Sequence, residues 1–490
     1  MEGTIVIRRL LLGLCLSALV AAPLAHAGDD DKLPGPPAGP AGDPAAPMDA
    51  PGPVEPPPAP AAAGAHVMRL SLRDALQKGV GGNLGLLESS YETPIAWQGR
   101  EAADASFDYL LTAGFSVSHI ETPSTNVFSS AGVSVQNTVN AQVGVTRRLR
   151  SGGSISLLYR ADRISTNNPF ATVDPGYQQG LYVEMSYPLL RGAGDIALAD
   201  IRRAQNGVVA ARAGYSVQVE TTLLGIEETY WELVYAEANL DARRKAEEVA
   251  RELLDDANSR LDAEVGTPLD VAEARAGVER RRSEVLAAEN LRETLADQLL
   301  SLIVPFGPTV RQAIRVVPTD RADAGIANLP TRADEKRYVG VALQGRPELL
   351  ASRAELASAG IDVVVAKDAI RPQLDVIGRV ASDGLNSAFG DSIGDVLAGE
   401  ATTATIGLEF SLYIGQRAAR ANWLSAAWRR RQALLRRKEL ENQIVVEVRS
   451  ALRDLDTARG QLAAGQSEVA AGEEALEGER LRLDQGKSTP

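Results

Sequence analysis

Hydrophobic and polar positions alternate along this chain with two different periods, and those periods come in the same order twice. "LTAGFSVSH" sets Leu111, Ala113, Phe115 and Val117 against Thr112, Gly114, Ser116 and Ser118. "VNAQVGVT" sets Val139, Ala141, Val143 and Val145 against Asn140, Gln142, Gly144 and Thr146. "GSISLLYR" and "LYVEMSYP" behave alike, and turn chemistry separates them in "TRRLRSGGS" and "RISTNNPFATVDPGYQQG". A period of two with one apolar and one polar face predicts strands. The pattern fits a soluble antiparallel sheet packed on a core, and equally a membrane β-barrel with lipid outside and water inside.

On either side the period is helical. Upstream, "HVMRLSLRDALQKGVGGNLGLLESSYETPIAWQGREAADASFDYL" reads as helices, with Ser71 as a cap and Asp74 at the capping-box spacing. Downstream, a proline-free run from Gly192 continues to "DDANSRLDAEVG", and a continuous helix of ~70 residues would reach roughly 100 Å. "VGTPLD" breaks it, with Thr267 as a cap and Pro268 in the first turn of the next helix. The chain then returns through "VAEARAGVERRRSEVLAAENLRETLADQLLSLI" until Pro305 and Pro308.

The order then restarts. "RPELLASRAELASAGIDVVVAKDA" is helical, and "IRPQLDVIGRVASDG" and "ATTATIGLEFSLYIG" are strand-like with a glycine- and aspartate-rich loop between them. A second long helical run follows from Arg417. Setting Pro490 over Pro268, an offset of 222, lays Arg482-Leu483-Asp484 on Arg260-Leu261-Asp262 and Thr489-Pro490 on Thr267-Pro268. The chain is therefore read as an internal duplication. The repeats are 66–310 and 336–490, joined by a linker at 311–335. The second repeat stops at its tip, which predicts either a record that ends before a last helix or a variant that pairs differently.

The start changes the compartment. Arg8 and Arg9, an apolar run from Leu10 to Val20 and Ala25-His26-Ala27 read as an export signal over 1–27. The Pro/Ala-rich 28–65 that follows has almost nothing to bury and reads as a disordered tether. Cys15, the only cysteine, sits inside the signal, so the mature chain carries no thiol. His66 and His119 lack ligand spacing, and no carboxylate pair stands out as a general acid and base, so neither a metal, nor a cofactor, nor enzyme activity is expected. A net charge of −13 argues against a nucleic-acid partner. The terminal "GKS" is not a phosphate-binding loop, because Leu481 stands where its first glycine belongs.

The ordering of helix, strands, very long helix, "GTPLD" tip and returning helix resembles the TolC-type outer-membrane efflux and secretion channel family. "SYPLLRGAGDIALADIRRAQ" looks like its strand-to-helix segment, with Tyr187 where Gln is usual. "SRLDAEVGTPLDVAEAR" looks like its hairpin segment and "ERLRLDQGKSTP" like the second copy. The usual glycine appears there as Gly486, while Glu264 takes the aligned place in the first copy. The resemblance implies a mixed α/β fold: a trimeric outer-membrane β-barrel continued by a long periplasmic α-helical barrel, with two internal repeats per chain. It implies four strands per subunit, near 110–120, 136–149 or 178–190, 371–382 and 402–413, with 137–162 as an extra hairpin of unassigned place.

The implied function is a passive exit conduit of a tripartite efflux or type I secretion system. Its partners would be outer-membrane lipid, a periplasmic adaptor and an inner-membrane pump or secretion ATPase. The alternatives are a soluble periplasmic coiled-coil adaptor or scaffold, which should carry one hairpin between compact β domains, and a non-functional fragment of such a channel. Gly266, Thr267, Pro268 and Asp270, with Gly486, Thr489 and Pro490 in the second copy, are the candidate tip or adaptor contact. Asp255, Asp256, Asp262 and Glu264 are a candidate acidic entrance ring, or a solvated helix face. The basic run Arg417, Arg420, Arg429, Arg430, Arg431, Arg436, Arg437 and Lys438 reads as membrane-proximal charge or tunnel lining, and Trp423 and Trp428 as packing between helices.

Overall fold

A computed structural model describes residues 66–123, 132–304, 314–320 and 329–484. The export signal and tether at 1–65, and Gly486, Thr489 and Pro490, lie outside them. The chain opens with a short strand β1 (His66–Leu70) and three helices, α1 (Leu72–Gly82), α2 (Leu84–Ser90) and α3 (Glu92–Asp104). Four strands follow: β2 (Tyr109–Pro123), β3 (Val133–Arg148), β4 (Ser154–Thr166) and β5 (Gly176–Pro188). The long helix α4 (Ala199–Asp262) turns into α5 (Pro268–Ile303), and β6 (Ile314–Pro318) closes this half. The second half contains α6 (Glu335–Gly345), α7 (Pro347–Asp368), β7 (Gln373–Asn386), α8 (Phe389–Ala398), β8 (Ala401–Ser411) and α9 (Arg417–Asp484).

Six strands make one antiparallel sheet in the order β2-β3-β4-β5-β7-β8. The hairpin β3–β4 is the extra pair, and it sits between β2 and β5. The sheet therefore has two strands more than the four implied by the family resemblance, because both alternatives for the second strand, 136–149 and 178–190, are occupied at once and β4 pairs between them. The seam between the two halves is β5–β7, in register from Tyr177↔Asn386 to Pro188↔Asp375. The strand ends that connect to α3, α4, α7 and α9 all lie at one edge of this ladder, marked by Tyr109, Pro188, Gln373 and Ser411.

Two further differences from the sequence reading are local. His66–Leu70, expected to be helical, is a strand paired in parallel with Ile314–Pro318. Its partner is more than two hundred residues away, so no local period reports it. The glycine- and aspartate-rich segment between β7 and β8, expected as a loop, is the helix α8, closed by Gly399 in the left-handed conformation.

The main core lies where α1, α4, α5 and the β1–β6 pair meet. Leu70, Ala75, Ile226, Tyr230, Leu233, Leu299, Ile303 and Val316 are buried there. A Cβ at Gly79 would stand 2.1 Å from Ile226 Cδ1, so glycine is what lets α1 approach α4. Tyr230 donates from its hydroxyl to Leu70 O (3.0 Å) and Asp320 Oδ2 (2.8 Å), and Leu72 N donates to the same Asp320 oxygen (2.7 Å). Burial of the phenol and this carboxylate raise the Tyr230 pKa above the ordinary tyrosine value. A second knot ties the strand-to-helix junctions together: Gly192 N donates to Asp368 Oδ2 (2.7 Å), and Arg371 Nη1 to Leu190 O (3.1 Å).

Candidate functional site

The register of the sheet sorts its side chains into two faces. Leu111, Phe115 and Val117 share a face with Val139, Val143, Leu181, Val183, Ile406 and Leu408. Phe115, Val117, Val143, Ile406 and Leu408 are exposed, with Ile406 at 82%. A contiguous apolar sheet face of this extent is not a surface that water tolerates.

The opposite face carries an ordered polar network. Arg160 Nε lies 2.7 Å from Asp162 Oδ2, and Asn140 Nδ2 donates to the other carboxylate oxygen. Asp162 is almost fully buried by these two neighbours, as a charge taken out of water must be. Tyr182 donates to Asp383 Oδ1 (2.6 Å), and the Arg379 guanidinium stands 5.0 Å from the Tyr182 ring centroid. Gly180 makes room: a Cβ there would meet the Tyr182 hydroxyl at 2.3 Å. These residues had a sequence signal, the polar side of the alternation at 182, 379 and 383. Only the register showed that charges from β4, β5 and β7 converge.

The helical tip collects Gly266, Thr267, Pro268 and Asp270. Thr267 Oγ1 accepts from Asp270 N (3.3 Å) and the Asp270 carboxylate accepts from Thr267 N (2.9 Å), a reciprocal capping box with Pro268 in the first turn. The Thr267 backbone and side-chain hydrogen bonds hold the Asp270 pKa below the usual aspartate value. Helix α4 ends just before this: Val265 N donates to Arg260 O and Glu264 N to Leu261 O, both at 3.0 Å. This is the helix stop that favours glycine in the left-handed conformation, and Glu264 fills that place with φ 61°. Asp255, Asp262 and Glu264 are exposed, and Asp256 pairs with Arg260 at 3.0 Å. One chain thus brings the acidic residues onto the last turns of α4, without a contact among their carboxylates.

The basic run is partly consumed by ion pairs, Arg436 with Glu355 on α7 and Arg437 with Glu441 one turn along α9 itself. Trp423 is half-buried, but Trp428, expected to pack between helices, is 66% exposed in the single chain. It shares a shallow groove on α9 with Ala421, Leu424, Ser425 and Gln432. Among the described residues, no group of three or more His, Cys, Asp or Glu side chains could hold a metal ion. No described helix is long and apolar enough to cross a membrane.

A two-faced antiparallel sheet joined at one end to helices more than sixty residues long defines the class as a strand-and-long-helix fold. Three solved structures share it over 85% of this chain. They are the outer membrane channel CmeC of Campylobacter jejuni (TM-score 0.60, 17% identity, 77% of that chain), the outer-membrane channel OprN (0.62, 15%, 81%) and the MtrE outer membrane channel of Neisseria gonorrhoeae (0.58, 16%, 80%). The family described as "Outer membrane efflux protein" matches residues 339–490. A curated relative, outer membrane efflux protein BepC of Brucella suis biovar 1 (strain 1330), is 26% identical over 284 residues. That match covers 57% of this chain, and the chain spans 57% of that relative's length. The similarity to the outer membrane efflux protein family thus lies in residues 339–490, and the similarity to the solved channels is one of fold.

Proposed function

We propose that this protein is the subunit of a trimeric outer-membrane exit channel, a passive conduit working with a periplasmic adaptor and an inner-membrane pump or secretion ATPase. The observation that carries this is the sheet: one exposed apolar face, one polar face, and two unpaired edges, β2 and β8. In an antiparallel order of six, β8 of one copy meets β2 of the next antiparallel, so a ring of copies closes without a break in the ladder. Each edge is flanked by exposed apolar helix surface, Ile95 and Trp97 before β2 and Leu424 and Trp428 after β8. Two different patches on opposite edges make a head-to-tail contact, which is what a cyclic ring needs.

Three copies of the six-stranded sheet supply eighteen strands, instead of the twelve that four per copy would give. A barrel of ~18 strands leaves an aqueous channel, here lined by the Arg160–Asp162 and Tyr182–Asp383 network. The long helices continue the conduit into the periplasm, with the Thr267–Asp270 tip as the adaptor contact and the acidic residues before it at the entrance. The names of CmeC, OprN and BepC as outer-membrane channel or efflux proteins support the reading.

The test is extraction and conductance. The full chain should require detergent for release from outer membranes, migrate as a heat-modifiable trimer and open stable channels in planar bilayers. Release as a soluble monomer from the periplasm would sink the proposal and favour a soluble adaptor.

A further inference from the structure

Across the apolar sheet face, the outward positions change character along a line that steps obliquely across the ladder. On each strand in turn the last apolar position is Val117, Val139, Ala161, Leu181, Val380 or Ala404, and two residues further out come His119, Asn137, Arg163, Gln179, Ser382 and Thr402, so that Val139 pairs with Arg163, Ala161 with Gln179 and Leu181 with Ser382. The change lies at the end of the sheet away from the long helices. From Tyr109 to Val117 the apolar stretch covers about 27 Å of strand at ~3.4 Å per residue, which suits a tilted strand crossing a hydrocarbon layer.

Helix α8 lies on that boundary. Gln179 Nε2 donates to Phe389 O (2.8 Å), Ser382 Oγ to Val396 O (2.7 Å), and Ser392 Oγ to Gly384 O (3.1 Å). The Tyr177 and Phe389 rings meet edge to face at 6.0 Å. A Cβ at Gly384 would stand 2.4 Å from Ser392 O, so the sheet is shaped to seat this helix. With α8 in place, Gln179 and Ser392 are buried and hydrogen-bonded, and no sheet amide faces outward unsatisfied there.

The side of α8 buried on the sheet, Ser392 and Val396, leaves most of its apolar surface on one adjoining flank. Phe389, Ile393 and Leu397 follow at every fourth residue and form a stripe displaced from the buried Ser392 and Val396. Phe389 is 49% exposed and Leu397 79%. Asp391 and Asp395 project from the opposite flank, with Asn386 Nδ2 on Asp395 Oδ2 (3.3 Å). A seated helix with one bare apolar flank, one acidic flank and an aromatic pair at the edge of an apolar band has the features of a membrane-surface helix.

We propose that α8 is an interfacial helix whose Phe389–Ile393–Leu397 flank is immersed among the outermost acyl chains of the outer membrane, with Asp391 and Asp395 turned to the aqueous headgroup layer. The inference rests on the reading of the sheet as a lipid-embedded barrel wall. The stripe is continuous with the apolar band below it, which is why acyl chains, and not a second protein, are its occupant. The helix anchors the rim of the barrel at one depth and covers the polar sheet positions that would otherwise meet hydrocarbon.

The mature chain as read has no cysteine, so single thiols can be placed and labelled with an environment-sensitive fluorophore. The full chain carrying Leu397→Cys, Asp391→Cys or Ile406→Cys is reconstituted in phosphatidylcholine vesicles containing nitroxide-labelled acyl chains. The label at Leu397→Cys should be quenched by the chain nitroxide several-fold more than that at Asp391→Cys, and aqueous iodide should reverse the order. Equal iodide quenching at the two α8 sites, with Ile406→Cys still quenched from the lipid, overturns the helix assignment alone. Loss of lipid quenching at Ile406→Cys overturns the barrel reading and the helix assignment with it. Disulfide-linked dimers through Leu397→Cys give the stripe to a second copy and overturn the lipid assignment. Both α8 sites are exposed, so the substitutions leave the packing intact.

Discussion

The two long helices, α4 and α9, carry apolar residues at repeat-related positions and bury them to different depths along their length. At the offset of 222, Tyr230 corresponds to Leu452, and both are buried. Leu233, fully buried, corresponds to Leu455, which is only half-buried. Leu240 corresponds to Leu462, and exposure rises from 1% to 43%. Beyond Leu240, α4 is held to α5 by Arg243–Glu284 (2.8 Å) and Arg244–Glu289 (2.7 Å). Beyond Leu452, α9 buries nothing among the described residues, and Leu462, Val469 and Leu476 repeat every seven residues on its surface. A leucine seam is thus a request for a partner. The same leucine is core or surface according to whether a helix lies across it.

The sharpest way to break this comparison is a matched pair of truncations. Leu240→Ala should cost about 2–5 kcal/mol in chemical denaturation followed by helical circular dichroism. Leu462→Ala should cost no more than ~0.5 kcal/mol in the isolated chain. Equal losses would mean that a neighbouring helix covers the α9 seam in the assembled protein. Next in size, Tyr230→Phe takes a donor from Leu70 O and Asp320 and should cost about 1–2 kcal/mol on the same readout. Thr267→Ala removes the cap of α5 and should lower stability by ~1 kcal/mol, with limited proteolysis at the tip rising first.

Glu264→Gly runs the other way. It relieves a left-handed glutamate and should raise stability by up to ~1 kcal/mol, and it gives the first copy the glycine that the second carries in sequence at Gly486. The pH response is the subtlest effect. The Asp270 pKa is depressed in the folded tip, so its contribution is present above the unfolded aspartate value and fades as pH falls through the folded one. Tip proteolysis should therefore quicken below the ordinary carboxylate range, and Asp270→Asn should flatten that response.

Strand and helix periods made the architecture legible because the strands of the sheet alternate an apolar with a polar side and each long helix has few breaks. The cap at Thr267 and the capping role of Ser71 followed from spacing alone, and both hydrogen bonds are present. The β1–β6 pair was hidden because each strand is five residues long and its partner lies more than two hundred residues away. Helix α8 was hidden because Gly390 and Gly394 lower helix propensity, and its stability comes from seating on Ser382 and Gly384. The polar network was half visible: the residue types alternate correctly, but only pairing across β5–β7 brings Tyr182 to Asp383.

The bare edges of the sheet reach beyond structure into inheritance. If the wall closes only when β8 of each copy meets β2 of the next, no copy owns a complete wall, and a lesion confined to one edge is shared by the whole ring. In a three-copy ring drawn at random from equal pools of sound and edge-defective chains, only about an eighth of the rings are free of the defect. A substitution on β2 or β8 should therefore behave as a dominant one in a mixed cell, whereas a loss confined to the core around Tyr230 removes its own chain from the pool and should behave as recessive.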